Sequence, residues 1–299
     1  MLAAPASRGL PLLTRFAPSP TGYLHLGHIV NAIYVWGIAR RFGGQVLLRL
    51  EDHDRIRCRP EYERALVEDL DWLGLTPDAG RAPLVRQSDS DDAYYDALAH
   101  LRRHVHVYAC ACSRKDLRER QGGDVDERYD GYCRDRQVPE GPGTGVRVAL
   151  TPGDESWQDL RLGPMTQSPA EQCGDLLLRD RDGNWTYQFA ATVDDCRQQI
   201  TLVIRGEDLL SSTGRQLRLA RMLGRTRMPE YLHHPLILKS SGNKLSKSSG
   251  DTGVRESRTS GIPAAEVIGR AAYTAGLTTE PSPIRADQVS ALFLPEFMK

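Results

Sequence analysis

No stretch of this 299-residue chain stays apolar for the ~20 residues that a membrane-spanning helix requires, so a helical membrane anchor is not indicated. The opening residues, MLAAPASRGLPLL, lack a basic region followed by an unbroken apolar segment, and no secretory leader is expected. Internal repeats and low-complexity tracts are missing as well, which sets solenoids and disordered scaffolds aside. Net charge is lacking: 39 basic and 39 acidic residues cancel, so the chain as a whole is not a polycation suited to coating nucleic acid. Cysteine is scarce and unevenly spread. Cys110, Cys112 and Cys133 crowd into one short window while Cys58, Cys173 and Cys196 stand apart. That distribution fits a metal clip in a reducing compartment better than a disulfide framework. What remains is a cytoplasmic globular protein. Its 40% hydrophobic residues supply a core for one large or two ordinary domains.

The hydrophobic period alternates along the chain. LPLLTRFA predicts a strand, HIVNAIYVWGIARR a helix ended by Gly43 and Gly44, QVLLRLED a second strand, and PEYERALVEDLDWLGL a helix with Leu66, Leu70 and Leu73 on one face. Strand, helix, strand, helix implies a parallel sheet, hence a doubly wound α/β fold. GVRVAL, DLLLRD and NWTYQFA predict further strands, the last two forming a hairpin over Asp182-Gly183. TLVIRG followed by RQLRLARMLG resumes the βα pattern. The expected organisation is a catalytic-type domain in two halves, 10–101 and 189–250, interrupted by an insertion over 102–188. A short helical tail over 251–299 is drawn from PAAEVIGRAAYTAG and ADQVSALFL, and SSGDTGVRESRTSGIP reads as a polar loop or linker.

The charges are locally segregated. Residues 61–100 carry ten acids and three bases, and residues 197–247 carry three acids and ten bases. Arg215, Arg218, Arg221 and Arg225 recur at helical spacing, giving a face that either holds phosphates or pairs with the acidic 61–100 stretch inside the fold.

The segment RFAPSPTGYLHLGH, 15–28, joins the first strand to the first helix through two prolines and two glycines. In a doubly wound fold this is where a turn lets backbone approach a ligand and a helix N-terminus meets phosphate, with His25 and His28 facing outward at its mouth. Far along the chain stands KLSKS, with Lys244 and Lys247 on a Ser- and Gly-flanked loop. Together the two resemble the signature sequences of class I aminoacyl-tRNA synthetases, which implies that His25, Gly27, His28, Lys244 and Lys247 bracket the triphosphate of ATP, bound with Mg²⁺. Imidazole and ammonium groups suit that chemistry, because charge builds on phosphoryl oxygens and on departing pyrophosphate.

RFAPSPTGYLHLGH, LLRLEDHDRIR, YDGYC, TYQFAATVDD, IRGEDLL and KLSKS, in that order, resemble the catalytic core of the glutamyl-tRNA synthetases over about residues 12–250. The resemblance implies a glutamate pocket at Arg15, Ser19, Glu51, Tyr187 and Arg205, with Arg15 on the side-chain carboxylate and Arg205 on the α-carboxylate. Charge counting agrees: free glutamate offers two carboxylates and one ammonium, and two arginines plus one glutamate complement it. An ion pair of Arg205 with Glu207 or Asp208 is the competing reading.

Cys110, Cys112 and Cys133 with Tyr129 resemble the zinc clip of the small glutamyl-queuosine tRNA(Asp) synthetases, which implies one structural Zn²⁺ with Tyr129 as fourth ligand. His104 and His106 compete for that position, and three free buried thiols are the plainer reading. Only 51 residues follow Ser248, too few for the anticodon-binding domains of a full glutamyl-tRNA synthetase, each of order 100 residues. The expectation is a monomeric ligase that activates L-glutamate with ATP without tRNA and passes it to queuosine in tRNA(Asp). The alternatives are another carboxylate-adenylating enzyme of this superfamily, or a catalytically silent zinc-containing RNA-binding relative.

Overall fold

A computed structural model describes residues 5, 11–53, 57–78, 84–121, 128–237 and 253–293. In chain order the elements are β1 (Leu13–Phe16), α1 (Leu26–Arg41), β2 (Gln45–Leu50), α2 (Pro60–Leu73), β3 (Val85–Arg86), α3 (Asp91–His104), β4 (Val107–Cys110), α4 (Arg114–Gln121), β5 (Gly145–Val148), β6 (Glu155–Asp159), β7 (Gly163–Gln167), α5 (Pro169–Cys173), β8 (Leu176–Arg179), α6 (Tyr187–Arg197), β9 (Leu202–Gly206), α7 (Thr213–Met222), β10 (Glu230–His234), α8 (Val254–Thr259) and α9 (Ala264–Thr274). A 3₁₀ segment covers Ala286–Phe293.

β1, β2 and β3 form a parallel sheet, with Leu13 opposite Gln45 and Phe16 opposite Leu48. A second sheet runs β7-β6-β10-β9, in which β10 lies parallel to both β9 and β6 and only the β6–β7 pair is antiparallel. The two sheets meet edge to edge where the Thr201 N–H donates to the Leu13 carbonyl at 2.9 Å and the Leu13 N–H donates to the Thr201 hydroxyl at 2.8 Å. Strand order therefore reverses between β1 and β9. A crevice opens there at the strands' carboxyl ends, which is where doubly wound folds bind their ligands.

Helix boundaries follow local chemistry. α1 begins at a reciprocal cap between His25 and His28 and gives way to Gly43 at φ +65°. α2 starts with Pro60 in its first turn and ends on Gly74 in the left-handed region, φ +75°. The buried face of α1, including Ile29, Ile33 and Trp36, packs with Phe16, Leu48 and Leu50 from the strands and with Leu66 and Leu70 of α2. The C-terminal segment is part of this core: Ile268, Val289 and Phe293 are fully buried, and the Phe293 ring lies 5.1 Å from Tyr34. Each such side chain contributes about 1.5–3 kcal/mol on burial.

β4, β5 and β8 form a separate antiparallel sheet with its own core of Leu98, Leu101, Val146, Val148, Leu178 and Phe189. β6 and β7, although inside the 102–188 stretch, pair with β10 in the main sheet. Three sequence expectations are corrected. NWTYQFA is not a strand: only one bridge, Arg179 to Trp185, forms, and Tyr187 opens α6, whose buried Phe189, Ala190 and Val193 recur at helical spacing. The 248–263 stretch is not all loop, since Val254–Thr259 is helical and its first N–H donates to the Leu24 carbonyl at 3.0 Å. Nor, among the described residues, do the arginines at 215, 218, 221 and 225 pair with the acids of the 61–100 region. Arg218 and Arg221 both pair with the buried Glu155 of β6, and the Arg225 guanidinium donates to the carbonyls of Asp195 and Ile200. A buried carboxylate must be paired, and α7 packs against β6, which carries Glu155. Among the described residues no helix is long and apolar enough to cross a membrane.

Candidate active site

A cavity of about 480 Å³ opens at the β1/β9 crevice. It gathers Arg15, Ser19, His25, Gly27, His28, Glu51, Tyr187 and Arg205, residues spread over 190 positions of sequence, and adds Asn31, Asp208 and His234. Lys244 and Lys247 lie outside the described residues.

The histidine pair is held by the helix cap. His25 Nδ1 accepts the Gly27 N–H at 3.1 Å and His28 Nδ1 accepts the His25 N–H at 3.1 Å. With both Nδ1 atoms acting as acceptors, the ring protons sit on Nε2, so each imidazole has a donor to offer. The rings lie 3.9 Å apart beside the positive end of α1. A Cβ on Gly27 would come within 3.0 Å of the His25 ring, so the glycine is what allows that packing.

The arginines differ sharply in their partners. Arg15, on β1, gives its Nε to Asp195 Oδ1 at 3.1 Å and Nη1 to the Ile204 carbonyl at 3.3 Å. Arg49, fully buried on β2, reaches the same Asp195 oxygen at 2.7 Å and gives Nη2 to Glu51 Oε1 at 3.1 Å. Burial alone would lower the Arg49 pKa, but Asp195, Glu51 and Asp194 together hold it above the ordinary value. Burial likewise pushes the Asp195 carboxyl up, yet Arg15 and Arg49 outweigh it and bring it down to about 2. Arg205, on β9 and only 3% exposed, has no carboxylate partner among the described residues. Its fork is filled by neutral acceptors: His233 Nε2 at 3.2 Å, Gln216 Oε1 at 2.7 Å, the Thr213 hydroxyl at 2.8 Å and the Tyr187 hydroxyl at 3.3 Å. The competing ion pair with Glu207 is not formed, since Glu207 pairs with Arg161. A buried cation surrounded by neutral groups at a cavity wall is a ready receptor for a carboxylate.

Asp195, Arg49, His233, Thr213 and Gln216 were not singled out from sequence. Asp194 and Asp195 do stand in TYQFAATVDD, and their signal was two adjacent acids on an otherwise apolar helix. His233 and His234 were visible as a His-His pair closing a strand.

A second cluster lies where the β4 end meets the loop before β5. The Sγ atoms of Cys110, Cys112 and Cys133 lie within 4.8 Å of one another, Cys112 and Cys133 being 3.5 Å apart. Tetrahedral zinc with Zn–S of ~2.3 Å places its sulfurs ~3.8 Å apart, so the spacing fits a metal. The Tyr129 hydroxyl sits 3.5 Å from Cys110 Sγ and accepts the Cys133 N–H at 2.8 Å. His104 is exposed, its Nδ1 on the His100 carbonyl, and His106 is exposed beside Tyr108. Burial and the Cys133 contact push the Cys112 thiol up to about 11. Burial also opposes ionisation of Cys110, but Tyr129 and Arg147 outweigh it and lower its pKa.

Residues 11–274 match the family model of the class I tRNA synthetases (E and Q), catalytic domain. The chain belongs to this synthetase family. It is a ligase of the class I kind. The Glutamyl-Q tRNA(Asp) synthetase of Nitratidesulfovibrio vulgaris is 41% identical over 283 residues, covering 88% of this chain and 86% of the relative. The Glutamate--tRNA ligase 1 of Acidithiobacillus ferrooxidans is 42% identical over 256 residues, but only 54% of that longer synthetase is covered. Among solved structures, the glutamate-tRNA synthetase of Elizabethkingia anophelis superposes with a TM-score of 0.77 at 28% identity, over 94% of this chain. The chain spans 65% of that synthetase's length.

Proposed function

We propose that the protein activates glutamate with ATP and Mg²⁺, without tRNA, and transfers the glutamyl group to the queuosine of tRNA(Asp). The observation that carries the reading is the cavity at the strand-order reversal, walled by two buried arginines, one buried glutamate and the His25/His28 cap. In this reading the charge-uncompensated Arg205 takes the α-carboxylate. Arg15, fixed by Asp195, turns its remaining N–H groups to the side-chain carboxylate, and Glu51 accepts the ammonium while Tyr187 and Ser19 orient the ligand. The α-carboxylate oxygen attacks the α-phosphorus of ATP and the bond to the β-phosphate oxygen breaks, giving glutamyl-adenylate and pyrophosphate. The Nε2–H groups of His25 and His28 stabilise the developing negative charge, joined by Lys244 and Lys247. A hydroxyl of the queuosine cyclopentene ring then attacks the glutamyl carbonyl, releasing AMP and leaving an ester. The name Glutamyl-Q tRNA(Asp) synthetase, carried by the 41% identical relative of which 86% is covered, supports the queuosine acceptor over the 3′ end.

At the thiol cluster we propose one structural Zn²⁺ held by Cys110, Cys112, Cys133 and Tyr129, which would clamp the β4 end to the 128–136 loop. The protein is proposed to work as a cytoplasmic monomer.

The test is twofold. ATP–pyrophosphate exchange should depend on glutamate and proceed without tRNA. With radiolabelled glutamate, tRNA(Asp) bearing queuosine should take up label and tRNA(Asp) lacking it should not. Label at the 3′ terminal ribose would point instead to a conventional glutamyl-tRNA synthetase.

A further inference from the structure

Arg205 is held by a buried chain of groups that no part of the proposed chemistry uses. Asp159 closes β6, His233 lies near the end of β10, and both are fully buried. His233 Nδ1 meets Asp159 Oδ2 at 2.6 Å, and His233 Nε2 meets both Arg205 Nε at 3.2 Å and the Thr213 hydroxyl at 3.1 Å. The other carboxylate oxygen, Asp159 Oδ1, accepts the N–H groups of Arg161 and Leu162, each at 3.0 Å. An arginine Nε is only ever a donor, so the hydrogen bond exists only while His233 Nε2 carries no proton. Asp159 enforces this, because an ionised carboxylate is an acceptor and requires the ring proton on Nδ1. Burial opposes ionisation of Asp159, but His233 and the two backbone donors outweigh it and keep its pKa below the usual range. Burial also lowers the His233 pKa against the pull of Asp159, so the pair rests as carboxylate and neutral imidazole.

We propose that Asp159 and His233 are positioning residues that fix one imidazole tautomer and thereby aim the Arg205 guanidinium, unneutralised, at a substrate carboxylate in the cavity. The proposal rests on the reading that the cavity binds an amino acid through that carboxylate. Neutral acceptors steer the fork without cancelling its charge. A carboxylate in place of His233 would hold Arg205 equally well and discharge it, whereas here the anion is one imidazole removed. The ring of Tyr231 lies parallel to His233, centroids 6.0 Å apart and planes 5° apart, and Arg205 lies 5.5 Å over the Tyr231 ring.

The decisive variant is Asp159→Asn. Oδ1 is committed to two backbone donors, so the amide NH₂ must take the Oδ2 position and donate to His233 Nδ1. The ring proton is then forced to Nε2, where it opposes the Arg205 Nε–H. Imidazole ¹⁵N shifts should show Nδ1 protonated in the wild type and Nε2 protonated in the variant. The glutamate KM in pyrophosphate exchange should rise roughly tenfold or more while the ATP KM stays within about twofold. Should Asn at 159 impair folding, His233→Gln and His233→Met supply the same contrast: Gln keeps an acceptor at the reach of Nε2 and should hold the glutamate KM within about threefold, and Met should not. An unchanged tautomer in Asp159→Asn, equal glutamate KM values for the Gln and Met variants, or parallel rises in the glutamate and ATP KM values would overturn the proposal. The tautomer readout needs no substrate, so it separates failure of the pair from failure of the glutamate reading, which wild-type exchange alone decides.

Discussion

Asp195 is the residue on which the cavity's electrostatics turn, because one of its oxygens carries both Arg15 and Arg49. Its carboxyl is depressed to about 2 from an ordinary 3.8. A depressed folded-state pKa gives stability that is complete above the unfolded value and disappears as pH falls through the folded one, here between roughly pH 4 and pH 2. Asp195→Asn should therefore cost about 3 kcal/mol or more at pH 7, because buried Arg15 loses its counterion and buried Arg49 the nearest of its three carboxylates. Urea unfolding at pH 7 measures that loss, and the difference from wild type should shrink toward pH 2. His234 works in a higher window. Burial lowers it to about 4, so the unfolded chain binds the extra proton and stability falls as pH drops from 6.5 toward 4. Wild type should lose about 2 kcal/mol between pH 7 and pH 5 from this group, and His234→Gln should flatten that segment of the pH–stability curve. In the proposed reading, substrate choice also rests on single residues: glutamine, lacking the second carboxylate, gives Arg15 no anionic partner beyond Asp195. Its kcat/KM in exchange should fall at least about a hundredfold below glutamate's, and equal values would remove Arg15 from the side-chain role.

At the scale of elements, α1 and the 286–293 segment form one unit. A Cβ on Gly37 would sit 2.2 Å from a Phe293 ring carbon and 3.0 Å from the Val289 carbonyl. Although alanine is the better helix former, Gly37→Ala should destabilise by about 1–3 kcal/mol, because the 3₁₀ segment must lift from the helix. A melting temperature at or above that of wild type would show that the two do not pack as described. Elements with one clear period were legible in the sequence. β1, α1, β2 and α2 follow from apolar spacing, with Gly43 and Gly74 ending the helices in left-handed turns. α6 was misread as a strand because its first residues alternate and because its buried acids, Asp194 and Asp195, mimic a surface pattern until their arginine partners from β1 and β2 are known. The pocket residues carried by loops and strand ends, Arg15, Ser19, Glu51 and Arg205, were legible through residue chemistry and resemblance. The groups that hold them, Asp195, Thr213, Gln216 and His233, were not, since a polar residue announces its buried partner only in three dimensions.

At the scale of the molecule, two chemically distinct centres stand apart on the sheets. The thiol cluster belongs to the β4-β5-β8 sheet and the cavity to the seam where β1 of one sheet meets β9 of another. Purified protein should carry one zinc per chain by metal analysis, and a chelator should lower the melting temperature. Cys110→Ser should lose the metal while the wild-type KM for glutamate is kept in whatever fraction remains folded. Full activity and unchanged melting without metal would remove the zinc assignment.

The seam between β1 and β9 has a kinetic consequence. Leu13 and Thr201 are 188 positions apart, so the crevice cannot close until most of the chain has been synthesised, and closing so long a loop must precede any reward from the contacts it allows. β1, α1 and β2 can collapse early on local contacts, but they then wait with the open edge of β1 unpaired. An edge left bare on a ribosome-bound chain invites pairing with other chains. Substitutions that weaken the seam, such as Thr201→Pro, which removes both the donor and the hydroxyl, should therefore be felt first in the yield of soluble protein and in refolding rate.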